Sequence, residues 1–192
     1  MTKIDHLKEI AKSNKSFIIY KSDKGFDLYT DFSKKIILTN DNIKKFINNA
    51  THFKFKKKET DIFIGFFGYE ILNNLIGVKI KKQKGLKFPK GIFYKPETKV
   101  KLQNKLDYKN LELDKSKNSF KINLNKTSYK TIFDKFKKKI KSGETYQIKI
   151  CTKYSNKAQI DTLDFFCRLV KSNMAPEAFM IKDKDYSIIS CS

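Results

Sequence analysis

The sequence Ser-Gly-Glu-Thr-Tyr-Gln-Ile-Lys-Ile-Cys, residues 142–151, decides the fold because it joins the end of a helix to an alternating strand. Lysines fill the spaces between upstream apolar residues that recur at three- and four-residue spacing: Tyr129, Ile132, Phe133, Phe136 and Ile140. This period predicts an amphipathic helix. We expect Thr127 or Ser128 to cap its start and Gly143 to supply the left-handed residue at its end.

The strand predicted after Gly143 places one glutamine on a rigid element. Tyr146, Ile148 and Ile150 alternate onto one face, and Gln147 lies on the other face. A rigid strand positions a polar side chain better than a loop does. An arbitrary glutamine is usually a solvated residue on such a strand, so a functional role for Gln147 depends on its neighbours.

Composition indicates a soluble globular protein. With 192 residues, of which 40% are hydrophobic, the chain can bury a core. The longest apolar run, residues 62–69, is too short for a membrane span, and residues 1–15 lack a signal-peptide core. We therefore predict a cytoplasmic protein without membrane contact. Its three cysteines have no paired spacing and there are two histidines, so we predict no metal cluster.

The formal charge of +22 raises the alternative of a non-enzymatic, basic nucleic-acid-binding protein. Arg168, however, is the only arginine among 42 basic residues, although nucleic-acid surfaces favour the bidentate fork of arginine. The lysines are also spread along the whole chain. We expect no specific nucleic-acid partner.

The remaining patterns predict an α+β fold of antiparallel sheets with flanking helices. Helical patterns begin near Ile4, Ile43 and Thr162, the last of them ending at Asn173. Strand patterns occur at 17–20, 35–38, 53–55, 65–69, 92–94, 178–181 and 186–189.

Four segments together resemble the large subunit, component I, of anthranilate synthase and aminodeoxychorismate synthase. The stretch around Gln147 is similar to the opening of their chorismate-binding domain. Residues 165–176 resemble a helix ending Arg-Leu-x-x-x-Asn-x-Ala-Pro, and residues 187–192 resemble the strand that runs into Ser-Pro-Glu. Residues 65–70, Gly-Phe-Phe-Gly-Tyr-Glu, are similar to the family's Gly-x-x-Gly-Tyr strand.

This resemblance implies a component I-like β-sandwich that is incomplete at its C-terminus. Residues 1–110 correspond to the N-terminal component I subdomain, 111–126 to a linker and 127–192 to the truncated start of the chorismate-binding domain. The family's metal-binding glutamates and catalytic histidine follow Ser-Pro-Glu. We therefore expect the Mg²⁺ ligands downstream of Ser192, no metal site within the chain, and a fragment that is inactive alone.

The resemblance also implies a reaction, the addition of ammonia to chorismate, with ammonia supplied by a glutamine amidotransferase subunit. Gln147 then faces the ring and positions substrate and nucleophile. Relatives that add water, such as isochorismate and salicylate synthases, carry a lysine there as general base, whereas a neutral amide cannot abstract a proton. Gln147 thus favours amination, and a water-adding enzyme is the alternative.

Two details bear on the product. Residues 173–179, Asn-Met-Ala-Pro-Glu-Ala-Phe, are closer to the Ala-Pro-x-Ala-Phe form of aminodeoxychorismate synthases than to the Asn-Pro-Ser-Pro-Tyr-Met form of anthranilate synthases. Ser190, where anthranilate synthases usually have glycine, points the same way. This favours para-aminobenzoate (folate) biosynthesis over anthranilate (tryptophan) biosynthesis, and both stay open.

A feedback pocket is a further implication. In anthranilate synthases, a Leu-Leu-Glu-Ser strand helps to bind tryptophan, and residues 19–22, Ile-Tyr-Lys-Ser, align with it. The resemblance carries over Ser22, together with Pro176 and Phe179, as effector-pocket residues. Lys21 replaces the glutamate, so it would repel the ammonium group of an amino acid.

Overall fold

A computed structural model of the chain describes residues 9, 13, 16–51, 58–78, 88–102, 120–157 and 160–192. The described elements are, in chain order, β1 (Phe17–Ser22), β2 (Gly25–Ile37), α1 (Ile43–Thr51), β3 (Ile64–Phe67), α2 (Tyr69–Leu75), β4 (Gly91–Leu102), β5 (Lys121–Ile122), α3 (Lys126–Lys141), β6 (Tyr154–Ser155), α4 (Thr162–Asn173), β7 (Ala178–Lys182) and β8 (Ser187–Cys191).

Two compact units are present, one formed from residues 1–111 with 162–192 and the other from residues 112–161. The first unit therefore combines the two ends of the chain. The predicted division into 1–110, 111–126 and 127–192 stays a prediction about domains.

The first unit is built on a six-stranded antiparallel sheet with the order β3-β4-β2-β1-β7-β8. β1 and β2 form a hairpin that turns through Asp23 and Lys24. β1 pairs on its other edge with β7, from Phe17 opposite Lys182 to Lys21 opposite Ala178. The β7–β8 hairpin is thereby added to a sheet whose other strands lie more than 70 residues away in sequence.

Both faces of β1 are buried over its first three residues, which explains the apolar run at its start. Phe17 and Ile19 face α4, whose Leu163 and Phe166 belong to the same hydrophobic cluster. Ile18 faces the opposite side and packs in a second cluster, whose other buried members are Tyr29, Ile92, Tyr94 and Ile181. Because a strand places successive side chains on opposite faces, this central strand joins two layers of core.

Several predicted elements are confirmed. α1 begins at Ile43, α4 covers Thr162–Asn173 with Leu163, Phe166 and Val170 buried, and β7 with β8 forms the predicted hairpin. The predicted helix near Ile4 and the predicted strand at 53–55 lie outside the described residues. A mixed fold of helices and antiparallel sheet is confirmed, whereas the component I-like sandwich stays a prediction.

The predicted strand at 65–69 is too long. β3 ends at Phe67 and α2 begins at Tyr69, because the carbonyl of Gly68 accepts from the N–H groups of Ile71 and Leu72 and so starts a helix. Gly65 lies close to β4: a Cβ there would stand 1.9 Å from the carbonyl oxygen of Ile92. Close backbone approach explains this glycine.

The second unit contains α3 and the short antiparallel pair of β5 and β6. The start of α3 differs from the prediction, since Asn125 is the N-cap and its side chain accepts from the N–H of Ser128 at 2.8 Å. Thr127 and Ser128 lie in the first turn. Asparagine caps as well as serine does, and the N-cap lies two residues before Thr127, the earlier of the two expected caps. Within the described part of the chain, no helix has the length and apolar character needed to cross a membrane.

Candidate functional site

The candidate site begins where α3 ends. Gly143 has φ +78°, and its N–H donates to the carbonyl of Ile140 at 3.1 Å. The N–H of Glu144 donates to the carbonyl of Lys139, also at 3.1 Å. This pair of bonds is the Schellman motif, in which a left-handed glycine ends the helix and satisfies its last carbonyls. The predicted role of Gly143 is confirmed, and the chain leaves α3 in a defined direction.

Side chains hold the first residues after the helix. The carboxylate of Glu144 pairs with the ammonium of Lys139 and accepts from the Ser142 hydroxyl at 3.2 Å. These hydrogen bonds, first that from Lys139 and then that from Ser142, lower the pKa of Glu144. The Thr145 hydroxyl donates to the carbonyl of Gln147 at 3.1 Å. The backbone that leads into Gln147 is therefore tied to the helix end.

Gln147 itself is exposed and does not lie on a strand, so the predicted strand after Gly143 is wrong. Within the described part of the chain that follows Gly143 in the second unit, Tyr154 and Ser155 are the residues that pair, with Ile122 and Lys121. The alternation of the side chains persists in part, since Ile148 is half-buried and Gln147 is exposed. A strand also needs a neighbouring backbone for its hydrogen bonds, and among the described residues no strand pairs with the segment from 145 to 152.

The apolar side of α3 is also largely open. Tyr129, Phe133 and Ile140 are 42%, 46% and 41% exposed, and no residue of α3 is buried. Tyr129 and Phe133 stack with their ring centroids 6.4 Å apart. The helix is amphipathic as predicted, but within the described second unit its apolar face is not covered.

The predicted effector residues come together in the first unit, at the adjoining ends of β1 and β7. Tyr20 pairs with Phe179 and Lys21 with Ala178, so Ser22 and Pro176 follow at neighbouring strand ends. The Ser22 hydroxyl accepts from the N–H of Lys24 at 3.2 Å. Whether these residues bind an effector stays a prediction.

Lys21 makes a contact that the sequence reasoning missed. Its ammonium group donates to the carbonyl oxygens of Ala175 at 2.8 Å and Pro176 at 3.2 Å. The signal available in the sequence was the lysine in place of the family's glutamate. The charge of Lys21 is evident from the sequence, whereas its contact with the α4–β7 turn is evident only from the structure.

A buried carboxylate, that of Asp183, was also missed. Asp183 is 4% exposed, and its carboxylate pairs with the Lys35 ammonium at 2.7 Å, accepts from the Lys184 N–H at 2.6 Å and accepts from the Tyr94 hydroxyl. Tyr94 and Tyr186 also share a hydroxyl–hydroxyl bond of 3.0 Å.

The pKa values in this cluster favour an ionised carboxylate. Burial would raise the pKa of Asp183, but the hydrogen bonds from Lys35 and Tyr94 outweigh it, and the pKa lies below its ordinary value. Burial, followed by the bond to Asp183, raises the pKa of Tyr94. Because Tyr94 is on β4 and Asp183 follows β7, the cluster joins strands that are separated by β2 and β1 in the curled sheet. Asp183 thus stabilises the fold through these contacts.

The acidic, histidine and cysteine side chains bear on metal binding. Among the described residues, no three of the His, Cys, Asp and Glu side chains form a group that could hold a metal ion. These described residues do not fit a Mg²⁺ site. Mg²⁺ ligands downstream of Ser192 stay a prediction.

In a comparison with protein families, residues 8–192 match the family described as chorismate binding enzyme. A search of curated proteins found no match. The family match covers nearly the whole chain, including both Gln147 and the β1–β7 strand ends. The chain therefore belongs to the chorismate binding enzymes, and its function is that of a chorismate-utilising enzyme.

Proposed function

We propose that this chain is part of component I of a chorismate aminase, which adds ammonia to chorismate. The observation that carries the proposal is Gln147, a neutral amide that is exposed to solvent four residues after the left-handed Gly143 that ends α3. Membership of the chorismate binding enzymes supports chorismate as the substrate.

The choice between ammonia and water depends on proton transfer. Water must lose a proton to attack, whereas ammonia is already nucleophilic. An amide orients a ligand through hydrogen bonds but does not take up a proton near pH 7. Glu144, in the same segment, is a poor base because Lys139 and Ser142 engage its carboxylate and lower its pKa. Gln147 and Glu144 therefore favour ammonia, a nucleophile that needs to be positioned but does not need to be deprotonated.

The test is product analysis with the complete gene product, chorismate and ammonium chloride. We expect Gln147→Ala to lower the amination rate at least tenfold, which corresponds to the loss of about 1.4 kcal/mol of transition-state stabilisation. Thr152→Ala is the matched control, because Thr152 is a small, exposed polar residue of the same segment. An unchanged amination rate in Gln147→Ala would mean that Gln147 is a solvated side chain with no role in the reaction.

Gln147→Lys separates amination from the water-adding alternative. A lysine whose pKa is lowered in the substrate complex can act as a general base for water. We expect this variant to lose amination activity and to form isochorismate, the product of water addition, at a slow rate. If the wild-type protein formed isochorismate and no aminated product, the water-adding enzyme would be favoured instead.

The pathway and the assembly are part of the same proposal. We propose aminodeoxychorismate as the product, on the strength of residues 173–179 and Ser190. Ammonia would come from a glutamine amidotransferase subunit, so glutamine should replace ammonium chloride as the nitrogen source only when that subunit is added.

We also propose that residues 1–192 form the N-terminal part of component I, in which case the reading frame continues from Ser192 with Pro-Glu.

A further inference from the structure

The exposed side of α2 is apolar. Ile71 is fully buried and Leu75 packs in the same hydrophobic cluster, which also contains residues of α1, so this side of α2 belongs to the core. The opposite side carries Tyr69, Leu72 and Ile76, whose exposed fractions are 80%, 39% and 73%. Ile76 continues the helical turn, because its N–H donates to the carbonyl of Leu72 at 3.2 Å. Positions i, i+3 and i+7 share one helix face, so these three side chains form one outward-facing row, here called the α2 ridge.

The α2 ridge lies in the longest stretch of the sequence without a basic residue. Residues 59–78 contain no lysine or arginine, although 42 of the 192 residues are basic. The same stretch has three acidic residues, Glu59, Asp61 and Glu70. A chain with a formal charge of +22 repels a second copy of itself, because its lysines are spread along the sequence. This repulsion is locally weakest at the α2 ridge, so the ridge is where two copies can approach each other.

The strand that precedes α2 lacks the usual protection of a sheet edge. β3 is the outermost strand of the six-stranded sheet, and among the described residues β4 is the strand that pairs with it. Edge strands commonly carry charged residues, lysine above all, that discourage contact with another chain. The β3 sequence Ile-Gly-Phe-Phe, residues 64–67, has no charged residue, and Phe67 is exposed. β3 and the α2 ridge are thus poor in charge and rich in aromatic and aliphatic groups, as the centres of protein interfaces are.

Two-fold symmetry suits a helix ridge of this length. Two copies of α2 that pack antiparallel about Leu72 would place Tyr69 of one copy against Ile76 of the other, and the symmetry supplies the reverse contact. The same patch is then covered on both chains. The ridge and β3 together fall short of the roughly 20–30 residues per side of a standard stable interface, so such a dimer should be reversible.

We propose that the α2 ridge, together with β3, is a dimerisation surface on which a second copy of this chain docks. The contact is apolar and the two copies are both strongly positive. Salt that screens their charges should therefore strengthen the dimer, whereas an interface held by ion pairs would weaken as salt is added. This inference concerns self-association, and it does not rest on the amination of chorismate.

Sedimentation velocity of the full chain tests the proposal directly. We expect the average mass to rise from monomer towards dimer between about 1 and 100 μM protein. The dissociation constant of the dimer should fall at least about threefold between about 50 and 300 mM sodium chloride. Ile76→Lys places on the ridge the charge that the rest of the chain carries, and it should raise the dissociation constant at least about tenfold. Ile160→Lys is the matched control, because Ile160 is 53% exposed and lies in the second unit, and it should dimerise like the wild type.

Thermal unfolding at about 1 μM, where the chain is monomeric, shows whether the ridge is free in the monomer. Ile76→Lys and a second ridge variant, Tyr69→Lys, should stay within about 1–2 °C of the wild type, because both side chains are largely exposed. A fall in Tm of more than about 5 °C in both variants would mean that the ridge packs within the chain, against the proposal. A wild-type chain that stays monomeric at about 100 μM in about 300 mM salt, or that dimerises no better than the two ridge variants, would also overturn it. None of these results would bear on the amination of chorismate.

Discussion

Replacing Asp183 by asparagine should weaken the closure of the curled sheet. The substitution preserves the size of the side chain and an acceptor for the Lys184 N–H, but it removes the negative charge that faces Lys35 and Tyr94. Asp183 is nearly fully buried, so water cannot take over these contacts. The effect should therefore exceed that of an ordinary surface substitution.

The magnitude follows from the partners that are lost. A hydrogen bond to a charged group contributes about 1.5–3 kcal/mol, and the bond from Tyr94 is of this kind. The ion pair with Lys35 adds less, because 44% of the Lys35 side chain is exposed and its ammonium can be rehydrated. We expect a loss of about 2–3 kcal/mol, or about 4–12 °C in Tm for a chain of this size.

Thermal unfolding followed by circular dichroism is the assay, and Asp185→Asn is the control. Asp185 is exposed and lies two residues away in the same turn, so its variant should stay within about 1–2 °C of the wild type. An equal, small shift in both variants would refute the proposed role of the buried cluster.

The same cluster gives a pH dependence with a definite sign. The folded-state pKa of Asp183 is below its ordinary value, and an unfolded aspartate titrates near about 3.9. The carboxylate therefore contributes its full stabilisation above about pH 5, and this is lost as the pH falls through the folded-state value. The gap in stability between wild type and Asp183→Asn should narrow below about pH 4. A gap that stayed constant down to about pH 2 would mean that Asp183 is not the titrating group.

Four further substitutions, one of them a control, probe other parts of the fold. Phe166→Ala should cost about 3–5 kcal/mol because this ring is fully buried, whereas Phe165→Ala, on the exposed side of α4, should cost far less; denaturant unfolding of the pair measures both. Asn125→Ala removes the N-cap of α3 and should cost about 0.5–2 kcal/mol, seen as reduced far-UV helicity on heating. Gly65→Ala should destabilise by at least about 3 kcal/mol, because its Cβ would meet the Ile92 carbonyl; normal stability would show that β3 can shift away from β4.

The sequence predicted well those elements whose signals are local. The 3.6-residue spacing of apolar residues gave both α3 and α4, and the buried face of α4 was correct at Leu163 and Phe166. Gly143 was correct because a left-handed helix end is encoded by one residue type. Local patterns of this kind depend on neighbours within one or two turns.

The strand predicted after Gly143 failed for the opposite reason. Alternation shows which side chains a strand would bury, but a strand also depends on a partner that can lie anywhere in the sequence. β1 illustrates the point, since its second neighbour is β7, about 160 residues further along the chain. The pairing of β1 with β7 and the cluster around Asp183 arise from such distant contacts and were not foreseen.

The candidate site was predictable only in part. Gln147 could be named from its neighbours, yet its exposed position and the anchoring of Glu144 by Lys139 required the structure. The sequence shows that Lys21 stands where anthranilate synthases have a glutamate. Its partners are main-chain carbonyls, which any residue type supplies, so the sequence carries no sign of them.

Amination of chorismate is the claim on which the functional account depends. The most direct measurement is to incubate the complete gene product with chorismate and ¹⁵N-ammonium chloride and to analyse the products by mass spectrometry. The account predicts an aminated product that carries one ¹⁵N atom, with its yield reduced at least tenfold by Gln147→Ala and unaffected by Thr152→Ala. Conversion of chorismate to a product without ¹⁵N would contradict it.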